Sequence, residues 1–205
     1  MVGGFAAEAV AWGALSSGRR NVWLVMTPVL AAMGVAAVVV GRPPASPEVA
    51  PEVAALVGLL VGIVLYLATR AFVIAVGGWT AFERHAVRMY ARQGSLPLAS
   101  ALLLSAMLMV PGEELFWRGL FQVELTAAVD GGAALAATVT WVAFVLANLP
   151  SANLAIVAGA TVGGAVWAGL GWWTGGFLAA LVSHLAWTAL MLSLPVVRVR
   201  EGTSS

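Results

Sequence analysis

The residues best able to do chemistry sit in one short stretch, Met109-Val-Pro-Gly-Glu-Glu-Leu-Phe-Trp-Arg118, where two adjacent carboxylates and a guanidinium interrupt an apolar run. On insertion scales a charged residue at the centre of a membrane helix costs about 2.5–3.5 kcal/mol, so three cost roughly 8–10 kcal/mol. Such groups have to pair within a bundle or reach water. Glu114 and Arg118 are spaced i, i+4 and can pair on one helix face. Glu113 lies about 100° round the helix and has no partner on its own face. A carboxylate placed like this is suited to accept a proton from water as a general base. The competing reading is structural, a Glu–Arg pair that locks two helices together. Pro111-Gly112 predicts a break in the helix. A restart there places both carboxylates in a first turn, where the helix dipole favours negative charge.

Two further polar islands interrupt apolar runs. Asn148, within WVAFVLANLP, either caps its helix before Pro150 or hydrogen-bonds across an interface. His184, within LVSHLAWTAL, has Thr188 at i+4 on the same face. A histidine inside a membrane is a functional candidate by default. Ser183 beside it forms no triad, because adjacent helical residues point apart. His85 is expected to be solvated, Arg70 to reach toward the cytoplasmic face, and the Gly159-x-x-x-Gly163 pair to serve close helix packing.

These groups need helices to hold them. The chain has 205 residues, 61% hydrophobic and 9% charged, with a mean hydropathy of +0.98. Soluble domains carry roughly 25% charged residues. At about 20 apolar residues per crossing there is room for about six membrane helices. The apolar runs fall at about 22–40, 53–77, 96–125, 133–149, 152–171 and 177–194. The third is too long for one clean crossing, and Pro-rich 41–52 and Asp-Gly-Gly at 130–132 read as connections. Residues 79–95 differ in kind. Arg84, Arg88 and Arg92 form one stripe while Trp79, Phe82, Ala86 and Met89 face away, a pattern for a helix in the headgroup plane. The expected fold is all-α, a polytopic membrane bundle of about six transmembrane helices with one interfacial amphipathic helix. It would comprise an N-terminal segment at 1–21, a bundle at 22–194 and a tail at 195–205.

Arginine counts in the loops place both termini in the cytoplasm. All ten basic residues are Arg, pointing to a high-GC bacterial genome and hence the plasma membrane of a bacterium. A net charge of +1 gives no field for nucleic acid. The absence of cysteine excludes disulfides, thiolate metal sites and thiol nucleophiles. With two histidines besides, a protein-only zinc site is not expected, and no cofactor is implied.

The arrangement Glu113-Glu114-x-x-x-Arg118, Phe144-x-x-x-Asn148 and His184-x-x-x-Thr188 on successive helices resembles the CAAX protease and bacteriocin-processing (CPBP/Abi) family of intramembrane proteases. The family pattern is EExxxR, then FxxxH, then HxxxN. The resemblance spans about residues 96–194 and is most specific at EExxxR. It implies a helical bundle in which Glu113 activates the attacking water, Glu114 and Arg118 brace the site, and His184 orients water or stabilises the oxyanion. Asn148 stands where the family has His, and Thr188 where it has Asn. Asn positions water but takes no proton at neutral pH, and Thr retains a single donor. The expected partner is a membrane-associated peptide or protein.

Three readings follow. The first is a glutamate-type intramembrane endopeptidase with Glu113 as base and His184 with Asn148 as polarising groups. The second is a family member without turnover that acts as a membrane binding, immunity or regulatory protein. The third, a proton-coupled transporter, leads one to expect a repeated architecture or paired broken helices, and one break is found. The enzyme reading requires Glu113, Asn148 and His184 to converge on one water-sized cavity.

Overall fold

A computed structural model describes residues 1–91, 96–130 and 132–196. Eight helices account for most of them: α1 (Val2–Ser16), α2 (Val22–Gly41), α3 (Pro51–Ala75), α4 (Thr80–Ala91), α5 (Leu98–Ala128), α6 (Gly132–Asn148), α7 (Leu154–Thr174) and α8 (Leu178–Ser193). No strand occurs among the described residues. Helices α2, α3, α5, α6 and α7 are long and apolar enough to cross a membrane, and α8 is a shorter apolar helix. The chain is thus an all-α integral membrane protein. Val35, Val39, Leu56, Leu60 and Val64 stay exposed, as lipid-facing surfaces require.

Local chemistry sets the ends of these helices. Asn21 and Asn153 cap α2 and α7, their side-chain oxygens accepting from Trp23 N and from Ala155 and Ile156 N. Pro51 opens α3, where its missing N–H costs nothing. Gly175, with φ at 67°, closes α7 in the left-handed conformation. The Pro-rich connection after α2 lies over the α7–α8 turn, with Phe177 N and Leu178 N donating to the carbonyls of Pro44 and Ala45.

Glycine decides where helices cross. A Cβ on Gly112 of α5 would collide with the Leu30 carbonyl oxygen of α2, and one on Gly34 of α2 would lie 2.6 Å from Gly112 Cα. Backbones touch there. On α3, a Cβ at Gly58 would collide with the Ala179 carbonyl oxygen, and one at Gly62 would lie 2.5 Å from that of Ser183, so α3 and α8 meet the same way. This Gly58-x-x-x-Gly62 pair performs the backbone packing expected of Gly159 and Gly163. Gly163 instead makes room for the Trp167 ring, 2.8 Å from its Cβ direction, and Gly159 borders Trp187.

Three other expectations change. The helix does not stop at Pro111-Gly112, because α5 runs unbroken through 31 residues. It widens into π turns at Ser105–Met109 and Leu115–Phe121, on either side of the proline. A π turn accommodates the missing proline N–H and the crowding of the preceding turn without ending the helix. The two carboxylates therefore lie mid-helix rather than in a first turn. Residues 2–16 form α1, which packs on α2 and α6.

His85 is half-buried rather than solvated: its Nδ1 accepts from Leu154 N, and its carbonyl accepts from Asn153 Nδ2. The amphipathic helix α4 is thereby pinned to the start of α7. Phe82, Ala86 and Tyr90 form its buried face, Arg84 and Arg88 are exposed, and half-exposed Trp79 stacks on Phe82 with centroids 5.7 Å apart. Arg70 is exposed on α3. Arg92, Gly131, Arg198 and Arg200 lie outside the described residues.

Candidate active site

Helix α5 delivers Glu113, Glu114, Trp117 and Arg118 to the centre of the bundle; α6 delivers Phe144 and Asn148, and α8 delivers His184 and Thr188. Glu113, Asn148, His184 and Thr188 all line one cavity of about 220 Å³, joined by Ser105 of α5 and Trp167 of α7. Its wall continues through Val22, Trp23 and Met89 toward the end of the bundle covered by α4. Glu113, Asn148 and His184 thus border one cavity, which is larger than a single water.

The two adjacent glutamates differ in environment. Glu114 is fully buried, and its Oε1 accepts from Arg118 Nη1 at 3.2 Å and pairs with His184 Nδ1 at 2.8 Å. The pairing inferred from i, i+4 spacing forms, and it extends to α8. Arg118, also fully buried, donates its second terminal nitrogen to the Gly164 carbonyl at 3.2 Å. Its guanidinium lies 4.7 Å from the Phe144 ring centroid and 5.7 Å from that of Trp167. A buried charge needs such partners, since leaving one unpaired costs several kcal/mol. Glu113 lines the cavity, and no hydrogen bond to its carboxylate occurs among the described residues.

The orientation of His184 follows from its neighbours. A carboxylate oxygen only accepts, so the 2.8 Å contact puts the proton on Nδ1 and leaves Nε2 to the cavity side of the ring. With Nδ1–H donating to Glu114, the neutral ring leaves Nε2 as an acceptor, and a second proton would make it a donor. Thr188 adds a hydroxyl to the same wall and has no hydrogen-bond partner among the described residues.

Asn148 is oriented as well. Its Nδ2 donates to the Phe144 carbonyl at 2.9 Å and to Glu8 Oε1 at 3.1 Å. Both amide hydrogens are used, and the side-chain oxygen has no partner among the described residues. That leaves an acceptor for the cavity, which suits holding a water better than polarising a carbonyl.

Sequence reasoning missed three members of this assembly. Glu8 on α1 is fully buried and accepts from both Asn148 and Trp117 Nε1, the latter at 2.8 Å. A single acidic residue in an otherwise apolar N-terminal stretch was the available signal. Trp117 and Trp167 gave no signal, because tryptophan in a membrane helix reads equally well as lipid-facing or core. No cluster of three or more His, Cys, Asp or Glu side chains that could hold a metal ion occurs among the described residues.

Residues 95–190 match the family model described as type II CAAX prenyl endopeptidase Rce1-like. No curated protein and no solved structure matches the chain. The matched stretch carries the EExxxR motif, the Phe144–Asn148 pair and the His184–Thr188 pair, and over these residues the chain is similar to the Rce1-like type II CAAX prenyl endopeptidases, in line with the protease family that its motifs resemble.

Proposed function

We propose that the chain is a glutamate-type intramembrane endopeptidase that cleaves a membrane-associated peptide or protein segment. The observation that carries this reading is Glu113, whose unpartnered carboxylate shares one cavity wall with Asn148, His184 and Thr188. In the reaction, Glu113 takes a proton from water as the water oxygen bonds to the scissile carbonyl carbon. Asn148 accepts the water's other hydrogen and aligns it. The carbonyl oxygen takes up the negative charge and is met by Thr188 Oγ1–H; a second proton on His184 would add Nε2–H as a further donor. The C–N bond then breaks, and the amine leaves with the proton carried by Glu113. Glu114 and Arg118 act through His184 and do not touch the reacting atoms.

Several features support a substrate from the membrane. Met109, Ile156, Trp187 and Leu192 give the cavity apolar walls. A second apolar groove of about 300 Å³, between α3 and α7, shares Met89, Ala155, Gly159 and Trp187 with it. We place α4 and both termini on the cytoplasmic side of a bacterial plasma membrane, following the Arg-rich face of α4. The cavity then opens toward the cytoplasm.

One observation favours a second reading, a binding or regulatory protein without turnover. Asn148 occupies the family's histidine position and has no titratable group. Comparison of new protein termini in membranes carrying wild-type protein or Glu113→Gln decides between them. Termini lost in Glu113→Gln establish proteolysis and name substrates. Identical termini, with a cellular phenotype still rescued by Glu113→Gln, leave the binding reading.

A further inference from the structure

Glu8 lies on α1, outside the stretch that matches the family, yet it reaches the centre of the site. It is fully buried in an apolar bundle. An isolated carboxylate there is costly unless its oxygens are satisfied. Both are: Oε2 accepts from Trp117 Nε1 at 2.8 Å, and Oε1 accepts from Asn148 Nδ2 at 3.1 Å. These donors belong to α5 and α6, the helices that carry Glu113 and Asn148.

The consequence concerns which end of the Asn148 amide the cavity meets. An Asn side chain has one accepting and one donating end, and rotation by about 180° exchanges them. Two acceptors, the Phe144 carbonyl and the Glu8 carboxylate, stand on one side of Asn148 and claim both hydrogens of Nδ2. With the amide turned over, its oxygen would face two other oxygens. The Phe144 carbonyl alone would hold only one hydrogen.

We propose that Glu8 is a positioning residue of the site: by holding Nδ2 of Asn148 it points the amide oxygen into the cavity, where that oxygen accepts a hydrogen bond from the water that Glu113 activates. The role of that water rests on the protease reading; the orientation of the amide does not. A side chain from an N-terminal helix thus orients the neutral residue that stands in the family's histidine position.

The chain contains three asparagines, Asn21, Asn148 and Asn153, so selective 15N-asparagine labelling gives one side-chain NH2 pair for each. Purified wild-type protein and Glu8→Gln in nanodiscs are compared, with Asn148→Ala assigning its pair. Glu8→Gln is expected to move the Asn148 pair and speed its exchange with water up to about tenfold, the effect of losing one hydrogen bond. The Asn21 and Asn153 pairs stay in place. An Asn148 pair unmoved by Glu8→Gln overturns the proposal.

A polarity swap provides a second measurement that does not depend on activity. Asn148→Asp alone sets two carboxylates against each other. Glu8→Gln combined with Asn148→Asp restores a donor facing an acceptor, and is expected to recover thermal stability relative to Asn148→Asp. No recovery overturns the contact. In cells, Glu8→Gln is expected to cut terminus formation at least about tenfold at unchanged protein abundance, and wild-type yield from Glu8→Gln overturns the role in positioning water. Should wild-type protein and Glu113→Gln yield identical termini, the protease reading fails, while the amide and swap measurements still decide whether Glu8 sets Asn148.

Discussion

The His184 imidazole lies face to face with the Trp167 indole, ring centroids 3.7 Å apart and planes 17° from parallel. The Arg118 guanidinium lies 5.7 Å from the centroid of the same indole. Trp167 therefore borders both groups that Glu114 joins by hydrogen bonds. Nδ1 is held in the ring plane by Glu114 and the ring face by Trp167, so the imidazole has little freedom left. That is how a side chain from α7 helps to aim a histidine on α8.

Trp167→Leu removes this face while keeping an apolar filler. Stacked ring pairs contribute about 0.5–1.5 kcal/mol beyond their buried area. The expected outcome is a modest fall in thermal midpoint and a larger fall in terminus formation, with Trp167→Phe intermediate in both. Equal cleavage by the wild type and Trp167→Leu would show that His184 needs no second support.

Glu114→Gln leaves the buried Arg118 guanidinium without its carboxylate. Breaking one side of a buried pair costs about 3–5 kcal/mol, whereas removing both partners costs less. Glu114→Gln should therefore be less stable to denaturant than the double variant Glu114→Gln with Arg118→Met. The reverse order would place the stabilisation of Arg118 in its Gly164 and Phe144 contacts.

Gly112→Ala drives a methyl group into the Leu30 carbonyl, a backbone atom that cannot rotate away. Overpacking a tight core costs about 1–3 kcal/mol, and a backbone obstacle sets the expectation at the top of that range or above. Gly34→Ala acts at the same crossing and should behave alike. Gly169→Ala meets nothing within 4 Å and serves as the silent control. Thermal unfolding in detergent ranks all three.

His85→Ala removes the ring nitrogen that accepts from Leu154 N. Loss of one such bond is worth about 1 kcal/mol, so hydrogen exchange at the Leu154 amide should accelerate several-fold. His85→Asn is expected to restore slow exchange, because an Asn oxygen occupies nearly the place of Nδ1. Exchange in His85→Ala at the wild-type rate would assign the pinning of α4 to Asn153 alone.

Much of this molecule is legible from residue order because membrane insertion and helix periodicity are local rules. The apolar runs mark the spans, the Arg84–Arg88 face marks α4, and the i, i+4 spacing of Glu114 and Arg118 predicts a bond that forms at 3.2 Å. Other features depend on which helix lies beside which, and periodicity within one helix carries no such information. Glu8 meets Asn148 across 140 positions of sequence, and His184 meets Glu114 across 70. Two GxxxG pairs look identical as strings, yet Gly58 and Gly62 face a backbone while Gly163 faces a ring. Pro111 announces a disturbance, but only the surrounding bundle, pressed against α2 at Gly112, turns it into π bulges instead of a break. Composition and spacing thus settled where the chain crosses the membrane and which polar groups it hides there; packing alone chose their partners, because a hydrogen bond between distant residues exists only once the helices between them have been placed.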